Sequence, residues 1–249
     1  MAGKLHGKVA LITGASSGIG EATALALAAE GAYVAVAARR AERLEALVKR
    51  IVDNDGQAMP IIANVADEKQ VHEMVLAANA RWGHLDILVN NAGLMLLGPI
   101  DGADTEDWRR MVNVNLLGLM YATHAVLPIM KEQGEGHIVN ISSVAGRTVG
   151  AGRGVYNATK WAVGAFSEAL RQEVYMHHIR VTVIEPGAVE TELTEHITNP
   201  TAKEETQRWY HSMRQLQSED IAAAILYAVT QPPYVNVNEM LIRPTDQQR

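Results

Sequence analysis

The sequence predicts an α/β protein. We expect one domain over residues 1–249, built as a doubly wound parallel sheet of about seven strands with helices on both faces. Three observations point there. Short apolar runs alternate with helix-length segments six times, and a final helix and strand follow. The first run ends in a glycine turn that opens a helix. The residues with chemical potential fall just after the apolar runs, at the carboxyl ends of strands, where such sheets bind ligands. A chain of 249 residues is long enough for a large core.

Composition removes several function classes. Hydrophobic residues make up 48% and charged residues 20%, which is ordinary for a globular chain, and the net charge of −6 argues against a broad basic surface for nucleic acid. There is no cysteine, so disulfides, thiolate nucleophiles and thiolate metal sites are excluded together. That fits a reducing cytoplasm. Residues 1–8 contain no apolar signal core, and no run approaches ~18 apolar residues, so no membrane span is expected. The histidines are scattered, and none forms a His-x-x-x-His pair with a flanking carboxylate. His177 and His178 read as a helix end near solvent, and no metal is expected.

The elements follow in order. Residues 8–13 are a buried strand. Gly14-Ala-Ser16-Ser17-Gly18-Ile19-Gly20 then turns into a helix over 21–30, which Gly31 stops. Glycines of this kind let a backbone approach a pyrophosphate, and the helix N-terminus offers unpaired N–H groups and partial positive charge. A plain glycine turn is the other reading. Residues 33–38 form the second strand, ending at Ala38 before Arg39 and Arg40, and a helix spans 41–52. An acidic residue at that strand end favours NAD. Arginine matches phosphate geometry instead, so Arg39 and Arg40 point to the 2′-phosphate of NADP, unless they are only a solvated basic loop. Residues 58–63 give a third strand, ending at Asn64-Val65. Asp67 with Gln70 is a capping box for a helix running to about residue 82. Residues 85–89 form the fourth strand, ending in Asn90-Asn91-Ala92-Gly93.

One long helix is expected over 105–131, apolar on nearly all sides between 111 and 130. Asn115 inside it has poor helix propensity and needs a reason. Residues 136–141 are strand five, ending at Ser142-Ser143, and residues 150–154 are a glycine-rich loop. The next helix carries Tyr156 and Lys160 and continues to about residue 177. Residues 180–184 are strand six, followed by Pro186-Gly187-Ala-Val189-Glu-Thr191. The polar stretch over about 190–217, with Trp209 and Tyr210 inside it, is expected to be a lid of short helices. Ser218 caps a last helix over 219–230, and 235–242 is a terminal strand followed by a tail.

Tyr156 and Lys160 lie four residues apart, hence on one helix face. Such a pair is usually a solvated face. A free phenol titrates near ~10 and is a poor acid or base at neutrality. A cation ~4 Å away at an effective dielectric of ~20 is worth roughly 4 kcal/mol, about three pK units towards the phenolate. The pair is then able to exchange a proton with a substrate.

Taken together, Thr13-Gly-Ala-Ser-Ser-Gly-Ile-Gly20, Asn90-Asn-Ala-Gly93, Ser143, Tyr156-x-x-x-Lys160 and Pro186-Gly-x-Val-x-Thr191 resemble the short-chain dehydrogenase/reductase family, with its Rossmann fold, over essentially the whole chain. The resemblance implies a catalytic tetrad of Asn115, Ser143, Tyr156 and Lys160. Ser143 and Tyr156 would hold the substrate carbonyl oxygen. Lys160 would hold the nicotinamide ribose and lower the tyrosine pKa, and Asn115 would anchor a water in a proton relay. Cofactor contacts are implied at Gly14, Ser16, Ser17, Gly18, Ile19, Gly20, Arg39, Arg40, Asn64, Val65, Asn91, Ala92, Gly93, Pro186, Gly187, Val189 and Thr191. Asn64 stands where many members have Asp, and its carbonyl would accept from the adenine amine. Ser17 stands where many NADP-using members have a basic residue. A narrower likeness, carried by 94–99, 115–121, 189–198 and 242–247, is to the clavulanic acid dehydrogenase group of bacterial NADPH-dependent aldehyde reductases. Met95, Val144, Ala145, Arg153, Gly187 and Trp209 are candidate pocket lining.

The expectation is therefore an NADP(H)-dependent carbonyl reductase or alcohol dehydrogenase acting on a small molecule, with no nucleic acid or membrane partner. The alternatives are an NAD-dependent alcohol dehydrogenase and a dinucleotide-binding sensor without turnover. The apolar helices around 111–130 and 155–174 suggest subunit contacts, in a homotetramer or dimer.

Overall fold

The computed structural model describes residues 3–248. Its strands are β1 (Val9–Thr13), β2 (Tyr33–Ala38), β3 (Gln57–Ile62), β4 (Ile87–Asn90), β5 (Gly136–Ile141), β6 (Ile179–Pro186) and β7 (Glu239–Ile242). They form one parallel sheet in the order β3-β2-β1-β4-β5-β6-β7. The order reverses between β1 and β4. Chains leaving those two strands diverge to opposite sides and open a crevice at their carboxyl ends.

The helices are α1 (Gly18–Ala29), α2 (Ala41–Val52), α3 (Glu68–Trp82), α4 (Thr105–Val112), α5 (Gly118–Gln133), α6 (Gly154–Val174), α7 (Pro200–His211) and α8 (Ser218–Val229). Strand β1 shows why its five residues are all apolar or small and all buried. Its side chains alternate between faces. Ala10 and Ile12 join the core under α1, α2 and α8, with Leu27, Leu44, Leu47, Ile221 and Ile225. Val9 and Leu11 join the opposite core under α3, α5 and α6, with Met74, Val126, Met130 and Leu170. Both faces are covered, so the strand shows no polar alternation. Strand β3 lies at the edge and is half exposed, which is where Pro60 is tolerated.

Several boundaries differ from expectation, each for a local reason. The fourth strand starts at Ile87, not residue 85, because the Gln133 carboxamide bonds both the Leu85 N–H (2.9 Å) and its carbonyl (3.1 Å). The last strand is confined to Glu239–Ile242. Before it, the Asn236 carboxamide takes the Val181 backbone on both its N–H (3.1 Å) and carbonyl (3.2 Å), in place of a ladder. Gln217, not Ser218, is the N-cap of α8, because Asp220 reaches back to the Gln217 N–H at 2.8 Å.

The single helix expected over 105–131 is α4, a π-helical segment Asn113–Leu117, and α5. The whole run Thr105–Gln133 is long and apolar enough, by length and composition, to cross a membrane, contrary to the expectation from sequence. Its Met111, Leu119, Ala122, Val126 and Met130 are buried in the protein's own cores.

Candidate active site

The crevice begins at the glycine turn. Gly14 has φ +66°, and a Cβ there would stand 2.8 Å from Ala92 Cα. That close approach lets the turn lock onto the end of β4. Thr13 Oγ1 accepts from the N–H groups of Asn91 (3.1 Å) and Ala92 (3.2 Å), and Asn91 Nδ2 donates to the carbonyls of Thr13 (2.9 Å) and Gly14 (3.2 Å). A Cβ at Gly20 would lie 2.5 Å from Gly14 O, so the residue lets α1 seat directly on the turn. Ser17 is the N-cap of α1, but its side chain does not cap the first-turn N–H groups. These features fit a dinucleotide pyrophosphate: donors free of side-chain partners, a helix N-terminus and a wall without Cβ atoms.

Arg39 and Arg40 stand side by side with different commitments. Arg40 Nε donates to Ser16 Oγ (3.0 Å), its terminal nitrogens to Ser17 Oγ (2.7 Å) and to Glu192 (2.8 Å). Arg43 also reaches Glu192 at 3.2 Å. Glu192 lies in a short 3₁₀ turn after Thr191, so the segment following β6 is tied to the arginine pair. Arg39 makes no hydrogen bond or ion pair among the described residues and is the free guanidinium at the ribose end. Asn64 lines the crevice, but its Oδ1, expected to meet the adenine amine, already accepts from Ala66 N–H at 3.2 Å.

At the other end, β5, β6 and α6 bring Ser143, Tyr156 and Lys160 together. Tyr156 and Lys160 occupy one face of α6, and both are buried. The Ser143 side chain lines the crevice together with Tyr156. It also lies 3.4 Å from Pro186 O and accepts from Ala145 N–H at 3.1 Å. The electrostatics correct the expectation from spacing. Burial pushes the Tyr156 phenol above its usual range, with Tyr210 adding to the rise, while Ser143 and Arg153 act the other way. The Lys160 ammonium lies 5.9 Å from the phenol ring centre and donates to Ile141 O at 2.8 Å. Its charge does not offset the burial of the phenol. Burial instead lowers Lys160 itself to about 8.

Asn115 sits in the π-helical segment, which turns its side chain onto the loop after β4. Its Nδ2 donates to Leu94 O (2.8 Å) and Thr159 Oγ1 (3.2 Å), and its Oδ1 accepts from Leu94 N–H (2.7 Å). π-bulges recur at functional sites, and this one fixes a wall of the crevice.

The crevice is lined by every expected cofactor and substrate residue except Gly20, which shapes it from behind; Asn115 likewise stands behind the wall. Met95, Val144, Ala145, Arg153, Gly187 and Trp209 all line it. The Arg153 guanidinium lies 5.2 Å from the Trp209 ring centre, and Trp209 meets Tyr210 edge-on at 5.2 Å. Sequence reasoning missed Glu192, Leu193, His196 and Tyr210 as lining. Tyr210 was signalled by its place beside Trp209. Gln247, in the tail expected after the last strand, is buried and accepts from Ala188 N–H at 2.8 Å, bracing the loop after β6. Nothing in its local sequence marks it.

A glycine turn at the switch point and a Ser–Tyr–Lys cluster at the next strand ends define a dinucleotide-dependent oxidoreductase. The chain belongs to the short chain dehydrogenase family, whose model matches residues 8–202. It is 41% identical over 242 residues to an uncharacterized oxidoreductase of Staphylococcus saprophyticus, covering 96% of this chain and 97% of that one. Among solved structures it is similar to the closed form of serine dehydrogenase complexed with NADP⁺, at TM-score 0.89 and 37% identity, covering 97% of this chain and 96% of that one. It is also similar to an alcohol dehydrogenase of the archaeon Thermococcus sibiricus complexed with 5-hydroxy-NADP, at TM-score 0.86 and 30% identity, covering 97% and 98%.

Proposed function

We propose that this oxidoreductase uses NADP(H) to interconvert an aldehyde or ketone and its alcohol, with Tyr156 as general acid and base. The observation that carries the reading is the convergence of the Ser143 and Tyr156 hydroxyls on one crevice with the glycine turn. The NADP complexes of two relatives support the cofactor. The likeness to the clavulanic acid dehydrogenase group supports an aldehyde.

The residues divide the work. Gly14, Gly18, Ile19 and the start of α1 would hold the pyrophosphate, Arg39 the 2′-phosphate, Asn64 and Val65 the adenine side, and Lys160, Asn91, Pro186 and Val189 the nicotinamide half. The bound nicotinamide supplies or accepts hydride. Ser143 and Tyr156 donate to the carbonyl oxygen and stabilise the charge that develops there. Tyr156 gives its proton to that oxygen in reduction and takes it back in oxidation. The raised phenol pKa keeps the proton on Tyr156 at neutral pH, which suits the reductive direction. The segment over about 190–217, tied to Arg40 through Glu192, would act as a lid over the substrate.

One observation favours a second reading of the cofactor. Glu192 already engages Arg40, leaving Arg39 alone for a 2′-phosphate, so NAD use is the competitor. Exposed Trp161 on α6 and Val112 on α4 support contacts between subunits, as in a tetramer.

The test is NADPH oxidation against a panel of aldehydes, ketones and diketones, repeated with NADH. The reading expects turnover with kcat/KM at least tenfold higher for NADPH, and Arg39→Asp should remove that preference. A wild-type preference for NADH would refute the Arg39 assignment. Tight NADPH binding with no turnover on any carbonyl would favour a sensor.

A further inference from the structure

We infer that the substrate end of the crevice takes a carbonyl compound carrying a carboxylate, and that Arg153 is the residue that binds that carboxylate. This rests on the carbonyl reduction proposed above.

Arg153 is the N-cap of α6 and precedes Tyr156 by three residues, so the two share a helix face. It lines the reacting end of the crevice with Tyr156, Trp209 and Tyr210, and its positive charge opposes the rise that burial gives both phenols. The aromatic face of Trp209 supports it at 5.2 Å. Stacking of that kind holds the plane of an arginine while leaving its N–H fork free. The side chain makes no hydrogen bond and no ion pair among the described residues.

Apart from Arg39 at the ribose end, the neighbouring arginines are spent. Arg40 and Arg43 share Glu192, and Arg147 bridges Glu185 and Glu239. Glu192 is the one carboxylate on the crevice wall among the described residues, and those two arginines hold it at the ribose end. Arg153 also borders a second hollow containing Asp104 and Asp107. Neither neutralises it: Asp104 caps α4 through Glu106 N–H at 2.9 Å, and Asp107 is bonded by Arg110 (3.1 Å) and Thr198. A half-buried guanidinium without a counter-ion, beside the proton donor of the reaction, asks for an anionic substrate. One fork among apolar and aromatic walls, with Met95, Ala145 and Trp209, matches a single carboxylate better than a phosphate dianion.

In the reaction the carboxylate is a spectator. The carbonyl carbon gains a hydride as the nicotinamide is oxidised, the C=O π pair becomes the new O–H bond with the Tyr156 proton, and a hydroxy acid leaves.

The test uses succinic and glutaric semialdehydes and their methyl esters with NADPH. Wild type should prefer the better acid over its ester by at least tenfold in kcat/KM. Arg153→Gln should lose at least tenfold more on the acid than on the ester, chiefly through KM, and Arg153→Lys should recover part of the preference. A calorimetric titration of the NADP⁺-loaded protein with succinate, which cannot turn over, should show binding that Arg153→Gln weakens at least tenfold. Equal wild-type turnover of acid and ester, or equal losses on both, overturns the assignment while leaving carbonyl reduction standing. If no carbonyl is reduced, the proposed reaction fails, and the succinate titration alone decides Arg153: binding unchanged by Arg153→Gln overturns it.

Discussion

At the scale of single residues, the proposed chemistry turns on two buried titratable groups with opposite shifts. Lys160 in the folded chain is lowered to about 8 from 10.5. Between those values the unfolded chain binds a proton that the folded chain does not, so stability rises with pH across that window. Below about 8 both states carry the proton and the full cost of burial remains, on the order of 3 kcal/mol. Lys160→Met should therefore stabilise the cofactor-free protein at pH 7 and flatten its rise in melting temperature between pH 8 and 10. Thermal unfolding of both proteins across that range measures it, and parallel curves would contradict the assignment. The positions of Ser143, Tyr156 and Lys160 were legible from sequence because helical spacing and strand ends place them. The sign of the tyrosine shift was not. A Coulomb estimate from spacing leaves out the burial of the phenol, which outweighs the groups that act to lower its pKa.

Among elements, the π-helical segment between α4 and α5 organises the wall after β4. Asn115→Ala would strip the Leu94 N–H and carbonyl of their partners inside the core, costing roughly 2–4 kcal/mol of stability. Chemical denaturation should register it, and a loss below about 0.5 kcal/mol would mean that the loop finds other partners. The glycine turn makes a sharper demand. Gly20→Ala puts a methyl 2.5 Å from the Gly14 carbonyl, so α1 must lift from the turn, and NADPH affinity should fall at least tenfold. Fluorescence titration measures that, and unchanged affinity would argue against the turn as the pyrophosphate cradle. Strand and helix existence could be read from periodicity. The shortened strands β4 and β7 could not, because the side chains of Gln133 and Asn236, distant in sequence or outside any pattern, replace backbone pairing there.

For the whole molecule, strand order sets the site. With β1 beside β4, the glycine turn, Arg39, Asn91, Ser143 and Pro186 all emerge at one edge of the sheet. That convergence was readable in advance, since each residue follows an apolar run. The long-range closures were not: Glu192 on Arg40, Tyr210 near Tyr156, and Gln247 beneath Ala188 each join parts of the chain that share no local pattern. Light scattering should find a tetramer or dimer, and Trp161→Glu should shift it towards smaller species; a wild-type monomer would contradict the subunit contacts. The central claim, that Tyr156 is the proton donor of a carbonyl reductase, is tested most directly by Tyr156→Phe. With the best aldehyde and NADPH, kcat should fall by about 10²-fold or more while the NADPH dissociation constant stays within about threefold. Retention of most of the activity by Tyr156→Phe would contradict the account.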